Sequence, residues 1–249
     1  MSTVQSIDRA FQILRALSEK AGGITDISRR VGLPTSTVAR LLSALEESDV
    51  IERVAGGYEY KLGPRILQMA TQSNQNETLL SMARPHMVNL VEKLYENAGL
   101  SVPSGYEVQY LGQVNCANPV QIRDWTGRRL PMHVVPSGLV SLAHLPIETV
   151  QMFLDRKLER FTTNTVVNKN EVLQRLEKIK DEGFCWCIEE FSEGINSVAA
   201  PVFSKDRNVI GALHVHGPSY RFPDKATKKI VSNLVLKEAK KISQELSQK

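Results

Sequence analysis

The sequence predicts an α+β protein in three parts: an N-terminal winged helix-turn-helix, a helical linker and a C-terminal domain of strands clustered between helices. Three observations carry that expectation. Apolar residues recur at helical spacing in three short runs before residue 50, with a tight Gly-containing break between the second and third. Two alternating segments follow, separated by Ala55-Gly56-Gly57. From residue 100 onward, β-like runs are interspersed with helical ones. We set the parts at residues 1–63, 64–84 and 85–249.

Composition bounds the class. The 249 residues are 42% hydrophobic and 23% charged, ordinary for a globular chain and outside the collagen-like and wholly disordered ranges. Apolar runs are too short to cross a membrane, and the N-terminus has no basic region followed by an apolar core. Three cysteines, Cys116, Cys185 and Cys187, cannot make a disulfide framework, and the odd count suits a reducing cytosol. A cytoplasmic protein with no membrane partner is expected. The net charge of +4 arises at the C-terminus: residues 221–249 carry eight basic against three acidic side chains, whereas residues 1–70 carry nine against eight. Net charge alone therefore does not argue for nucleic acid.

Pattern does. Ile7, Ala10, Phe11, Leu14 and Leu17 make one amphipathic helix, with Ser6 as its expected N-cap. Gly22-Gly23 ends that unit, Thr25–Val31 reads as a second helix, and Gly32-Leu33-Pro34 breaks the chain before a third opened by Thr35-Ser36-Thr37. In the third helix Val38, Leu41, Leu42 and Leu45 form the apolar stripe, which places Ser36, Arg40, Ser43 and Glu47 opposite. Two helices across a tight Gly-containing turn are the helix-turn-helix, whose second helix enters the major groove of double-stranded DNA. Backbone N–H groups at its start attract phosphate, hydroxyls bond phosphate or bases, and arginine bonds guanine or backbone. Ile51–Val54 and Tyr58–Leu62 alternate as strands of a wing that brings Arg53 and Lys61 towards phosphate. The expected DNA-contacting set is Thr35, Ser36, Thr37, Arg40, Ser43, Arg53 and Lys61.

The stretch Gly32-Leu33-Pro34-Thr35-Ser36-Thr37-Val38-Ala39-Arg40-Leu41-Leu42, followed by Tyr58 to Leu67, resembles the IclR-type bacterial transcription regulators, and the resemblance continues to the C-terminus. It implies a dimer, often paired into a tetramer, whose winged helices read a roughly palindromic operator. It also implies a GAF-like α/β effector-binding domain that senses a small metabolite and alters operator binding.

Pro64 to about Arg84 reads as mostly helical, with a polar interruption at Ser73-Asn74-Gln75-Asn76, and Pro85 is placed to open a further helix striped by Val88, Val91, Leu94 and Tyr95. Beyond it, strands are expected at Leu100–Val102, Val108–Val114, Phe184–Ile188, Ser197–Phe203 and Val209–Val215. Helices are expected at Ser137–Leu145, Ile147–Leu154, Asn170–Glu182 and Asp224–Leu246. The last carries Ile230, Leu234, Ile242 and Leu246 on one side and most of the lysines elsewhere.

Several segments match the family's pattern. Gly127–His133 resembles its G-R-x-x-P-L-H segment, Glu189-Glu190 and Gly194–Phe203 its E-E and A-A-P-V-F strand, and Gly217-Pro218 the end of a strand. After Ser137-Gly138, Leu139 and Val140 depart from the usual Lys-Ala. The resemblance implies an effector site drawing on Cys187, Ser197, His214 and His216, with His133 beside them. Where the family favours an acid and two serines, this chain offers a thiol and two imidazoles. Residues 214 and 216 lie two apart on a strand, so both side chains share one face. An organic acid, often aromatic, would accept hydrogen bonds there, with Trp125, Met132, Phe153 and Trp186 as candidate apolar walls. A metal- or redox-responsive site of Cys187, His214 and His216 is an alternative, as are merely structural histidines. A Cys187–His214 hydrolytic dyad is a more remote one. No G-x-S-x-G elbow, P-loop, H-E-x-x-H or dinucleotide fingerprint occurs, so no catalytic residue and no cofactor is assigned.

Overall fold

The computed structural model describes residues 5–54, 56–224 and 226–248, which divide into two compact units between Gln75 and Asn76. Ala55, in the expected wing turn, lies outside the described residues.

Unit 1 contains α1 (Gln5–Glu19), α2 (Ile24–Val31), α3 (Thr35–Glu47) and an antiparallel hairpin of β1 (Ile51–Arg53) and β2 (Tyr60–Leu62). Ile27 from α2 and Val38 and Leu42 from α3 are buried, closed by Ile51 and Tyr60 of the hairpin. In α1 Leu17 is buried as expected, but Ile13 takes the inner face while Ile7 and Phe11 of the expected stripe are 54% and 59% exposed. Ser6 lies inside α1 and not at its cap, because the helix already includes Gln5. The wing is also shorter than its alternation suggests: Tyr58 and Glu59 are exposed and β2 starts at Tyr60. Gly22 bridges Tyr60 through two backbone hydrogen bonds of 3.1 and 2.9 Å, adding a third strand-like segment to the hairpin. A Cβ on Gly22 would stand 2.5 Å from the Asp26 carboxylate, so a side chain there would push Asp26 aside. Arg30 ties α2 to the end of α1, donating to the carbonyls of Ala16 and Lys20 and pairing with Asp26.

One helix, α4 (Pro64–Leu94), runs from unit 1 into unit 2. It is continuous through Ser73–Asn76 and through Pro85, so Pro85 does not open a new helix. Proline removes one helical hydrogen bond. Burial of Ala83, Met87 and Leu90 on both sides of it compensates.

Unit 2 is built on a six-stranded sheet with every neighbouring pair antiparallel, in the order β5-β4-β3-β8-β7-β6. The strands are β3 (Asn97–Ser104), β4 (Glu107–Val114), β5 (Arg129–Pro131), β6 (Cys185–Ile188), β7 (Ile195–Phe203) and β8 (Val209–Pro218). The short β5 and the 3₁₀ turn Met132–Val134 after it carry no readable periodicity and were not expected. Alternation divides the sheet cleanly. Leu100, Val198, Ala200, Leu213 and Val215 face the second half of α4 and α8 (Lys228–Ser247). On the opposite face lie α5 (Pro136–Ala143), α6 (Ile147–Leu154) and α7 (Lys169–Glu182).

The stripe of α8 agrees with expectation at Ile242, with Leu234 and Leu246 packed against the core, and is otherwise recentred. Val231, Val235, Ala239 and Ile242 are buried, whereas Ile230 is 57% exposed. All eight residues of α5 are buried. Gly138 makes that possible: a Cβ there would lie 2.3 Å from the Met132 Cα and carbonyl oxygen.

Candidate functional site

Unit 1 presents one polar helix face. Pro34 starts α3, and Thr37 and Val38 both donate to its carbonyl, at 3.0 Å each. Before it, Gly32 closes α2 at φ 67° and Ser28 donates its hydroxyl to the Leu33 carbonyl, fixing the three-residue turn. Thr35, Ser36, Arg40, Ser43 and Glu47 are exposed on α3 and Thr37 is half-buried. The Ser43 hydroxyl donates to the Ala39 carbonyl at 3.2 Å. Arg53 and Lys61 are exposed on the wing, but each holds a carboxylate: Arg53 pairs with Glu46 at 3.1 Å and lies over the Tyr60 ring, and Lys61 pairs with Glu52 at 2.9 Å. Exposed pairs of this kind are worth about 0–1 kcal/mol and exchange readily for a phosphate.

In unit 2 the sheet register assembles what the sequence left scattered. Cys187 of β6 pairs with Ser197 of β7, Ser197 with His216 of β8, and His216 with Asn97 of β3. The next row on the same face is Cys185, Ala199, His214 and Gly99. Small residues in the second row leave room for the imidazole. A Cβ on Gly99 would stand 2.5 Å from His214 Cε1, so only glycine admits that ring. Between these rows and the start of α5 lies a cavity lined by Tyr110, Trp125, Val135, Pro136, Glu190 and Phe191 together with Cys187, Ser197, His214 and His216. Its free space is about 30 Å³, room for a water molecule or two, so a ligand of aromatic size displaces side chains.

The cavity is polar at its floor and unsatisfied there. The rings of His214 and His216 stack with centroids 5.7 Å apart, and His214 also meets the edge of Tyr110 at 4.8 Å. Nε2 of both histidines is buried with no hydrogen-bond partner among the described residues. Leaving such a group unpaired costs about 1–3 kcal/mol each. Burial, and secondarily its neighbour His216, hold His214 well below its ordinary pKa of 6.5; burial holds His216 at about 4. Both are therefore neutral near pH 7. Burial also pushes the Cys187 thiol and the Tyr110 phenol upward, keeping both protonated. The Arg175 guanidinium of α7 is engaged by Glu190 through two bonds of 2.6 and 2.7 Å, donates to the Trp186 carbonyl, and approaches the Cys185 and Cys187 sulfurs at 3.6 and 3.5 Å.

The sequence-derived candidates divide accordingly. Cys187, Ser197, His214 and His216 meet at the cavity, as does Trp125 among the expected walls. His133 does not: its Nε2 bonds the Glu159 carbonyl at 2.8 Å and the ring sits near Phe153 and Phe161, so it holds a loop. Met132 and Phe153 belong to the packed core rather than the cavity wall. Trp186 projects from the other side of β6, where its indole donates to Ser232 and lies tilted against Phe222. Among the described residues no group of three or more His, Cys, Asp or Glu side chains is placed to hold an ion, and the Cys187 sulfur lies 3.5 Å from the Arg175 guanidinium. Tyr110, Glu190 and Phe191 were missed; no local spacing marks them, since β4 and the β6–β7 turn reach the site only through sheet pairing. The Glu-Glu pair has a structural logic. Glu189 accepts from the Gly194 amide at 2.7 Å and the Ser219 hydroxyl at 3.0 Å, and Glu190 anchors Arg175.

A helix-turn-helix with a wing and a separate sheet domain enclosing a small polar cavity together define a DNA-binding regulator with an effector-binding domain. Comparison with known proteins agrees. Residues 6–55 match the IclR helix-turn-helix domain and residues 71–244 the C-terminal domain of the bacterial transcriptional regulator IclR. The chain is 28% identical over 245 residues to the transcriptional repressor IclR of Escherichia coli K12, covering 96% of this chain and 89% of the relative. It is 30% identical over 224 residues to the HTH-type transcriptional repressor AllR of the same strain, covering 88% and 82%. Among solved structures, an IclR transcriptional regulator from Silicibacter sp. TM1040 superposes with a TM-score of 0.69 at 25% identity, covering 97% and 96%. An IclR homologue from Microbacterium hydrocarbonoxydans, solved with 4-hydroxybenzoate, gives 0.67 at 24% identity, covering 98% and 100%. The chain belongs to the IclR family of bacterial transcription regulators. Among the described residues, no helix is long and apolar enough to cross a membrane.

Proposed function

We infer that the protein is a cytoplasmic regulator without catalytic activity that binds a roughly palindromic operator as a homodimer, or as two dimers paired into a homotetramer. A small organic or aromatic acid in the unit 2 cavity alters that binding. Thr35, Ser36, Thr37, Arg40 and Ser43 enter the major groove from α3, and Arg53 and Lys61 leave their carboxylates for phosphate. The part of α4 from Pro64 to about Arg84 connects residues 1–63 to an effector domain at 85–249.

The observation that carries the effector reading is the pair of buried, unpartnered imidazole nitrogens on the wall of a partly open cavity. Tyr110 and Trp125 supply aromatic surface around them. The Microbacterium relative's 4-hydroxybenzoate supports an aromatic acid as the ligand class. The test is a gel-shift titration on fragments upstream of the gene and its neighbours. Binding is expected to weaken with salt as counterions are released, and Arg40→Ala to weaken it at least tenfold without unfolding. Benzoates and short keto acids added to the bound complex are expected to change the fraction shifted. No shift on any such fragment at low salt would remove the regulator reading.

A further inference from the structure

We propose that the acid enters this cavity together with one proton, which His214 and His216 share. The inference rests on the effector reading above. It starts from what surrounds the two rings. From β4 comes the Tyr110 phenol, from β6 and the turn after it Cys187 and Glu190, from α7 Arg175, and from the loop before Trp125 the Asp124 carboxylate acting on His216. From β3 come Asn97, Gly99 and Ser101, and α5 contributes no titratable side chain, its sequence being Pro-Ser-Gly-Leu-Val-Ser-Leu-Ala.

The guanidinium is already matched by Glu190, so the ligand-free cavity holds no uncompensated positive charge. A carboxylate entering it would be a buried anion without a counter-ion, which desolvation forbids. The imidazoles resolve this. Each neutral ring carries one N–H and one free lone pair, and both Nε2 atoms are unpartnered among the described residues. One ring accepts a proton from solvent and becomes the counter-ion, while the other donates its N–H to the same ligand or to its partner. The balance is acid anion plus one proton plus neutral pair giving an imidazolium–carboxylate complex, with no bond broken. A second proton is not taken up, because stacked rings at 5.7 Å would both be charged. An acid is thereby distinguished from its neutral analogues, and its binding follows pH even where the acid itself stays ionised.

Isothermal titration of the full-length protein with 4-hydroxybenzoate, benzoate and pyruvate, in phosphate and in Tris at pH 6.5, reads the protons exchanged from the difference in heat between buffers. Uptake approaching one proton per site is expected for each acid that binds, with affinity falling by up to about tenfold per pH unit as pH rises. The neutral 4-hydroxybenzamide is expected to bind, if at all, without uptake. His214→Gln with His216→Gln should abolish uptake; if that variant fails to fold, the acid–amide comparison in the unaltered protein decides alone. Binding of an acid with no proton exchange overturns the proposal and leaves the effector reading standing. Failure of all three acids to bind overturns both.

Discussion

His216 shows how far one residue's environment governs behaviour. Its pKa of about 4 in the folded chain lies below the ordinary 6.5, because burial disfavours the charged ring. A base whose pKa is depressed on folding stabilises the fold above its unfolded value, and that contribution is lost as pH falls towards the folded one. The gap is worth up to roughly 3 kcal/mol between about pH 6.5 and 4. Urea unfolding at pH 7 and pH 5 should therefore show a smaller loss of stability for His216→Gln than for the unaltered protein; equal losses would contradict burial of a neutral ring. Gly138 makes a steric prediction. With its Cβ 2.3 Å from the Met132 backbone, Gly138→Ala is expected to lower the melting temperature by roughly 5–10 °C. At this scale the sequence was informative about direction but not company. Spacing by two placed His214 and His216 on one face, but alignment of Cys187, Ser197 and His216 in one row depends on two strand registers. Alternation fixes the face each side chain takes, but which residues stand opposite one another also depends on the turns and bulges that join distant strands.

Among the elements, those with strong periodicity were legible and those defined by their neighbours were not. The three helices of unit 1 appear where Ile13, Ile27, Val38 and Leu42 demand a buried side. The α2–α3 turn followed from Gly32-Leu33-Pro34, and Gly32 does adopt φ 67°. Gly32→Ala is accordingly expected to cost about 1–2 kcal/mol and to weaken operator binding, since the turn sets the pose of α3. A thermal melt alongside a gel shift checks both; an unchanged melt would mean the turn relaxes. By contrast, Arg129–Pro131 becomes a strand only because Glu107–Gln109 lies beside it. Pro85 misleads for the reverse reason: local chemistry favours a helix start, but burial of Ala83 and Met87 on the sheet carries the helix through. The phase of α8 was set by Val231 and Val235 meeting the sheet, which the even scatter of apolar residues along that helix concealed.

For the whole molecule, the division of labour was legible from the order of patterns, while the content of the cavity was not. A recognition helix offers a small contact surface, so a symmetric pair is expected to read half-sites about one helical turn, roughly 34 Å, apart. Inserting five base pairs between the half-sites of a footprinted operator turns one onto the opposite side of the duplex and should weaken binding at least tenfold. Undiminished binding would show that the two winged helices are not held as a symmetric pair. The net charge of +4 offers little here, since the first seventy residues are nearly neutral. Selectivity falls to the placement of Ser36 and Arg40 on α3.

The row across the sheet has a consequence for inheritance. Cys187, Ser197, His216 and Asn97 each come from a different strand, while Glu189, Gly138 and the strand pairing hold the backbone beneath and around them. Cys187, Ser197 and His216 can therefore each be altered by a single codon with the strand pairing kept, whereas Asn97 is tied to the scaffold through the Ile122 carbonyl and the Cys116 amide. A lineage carrying this domain can drift from one metabolite to another in small steps, keeping its operator while it learns a new signal.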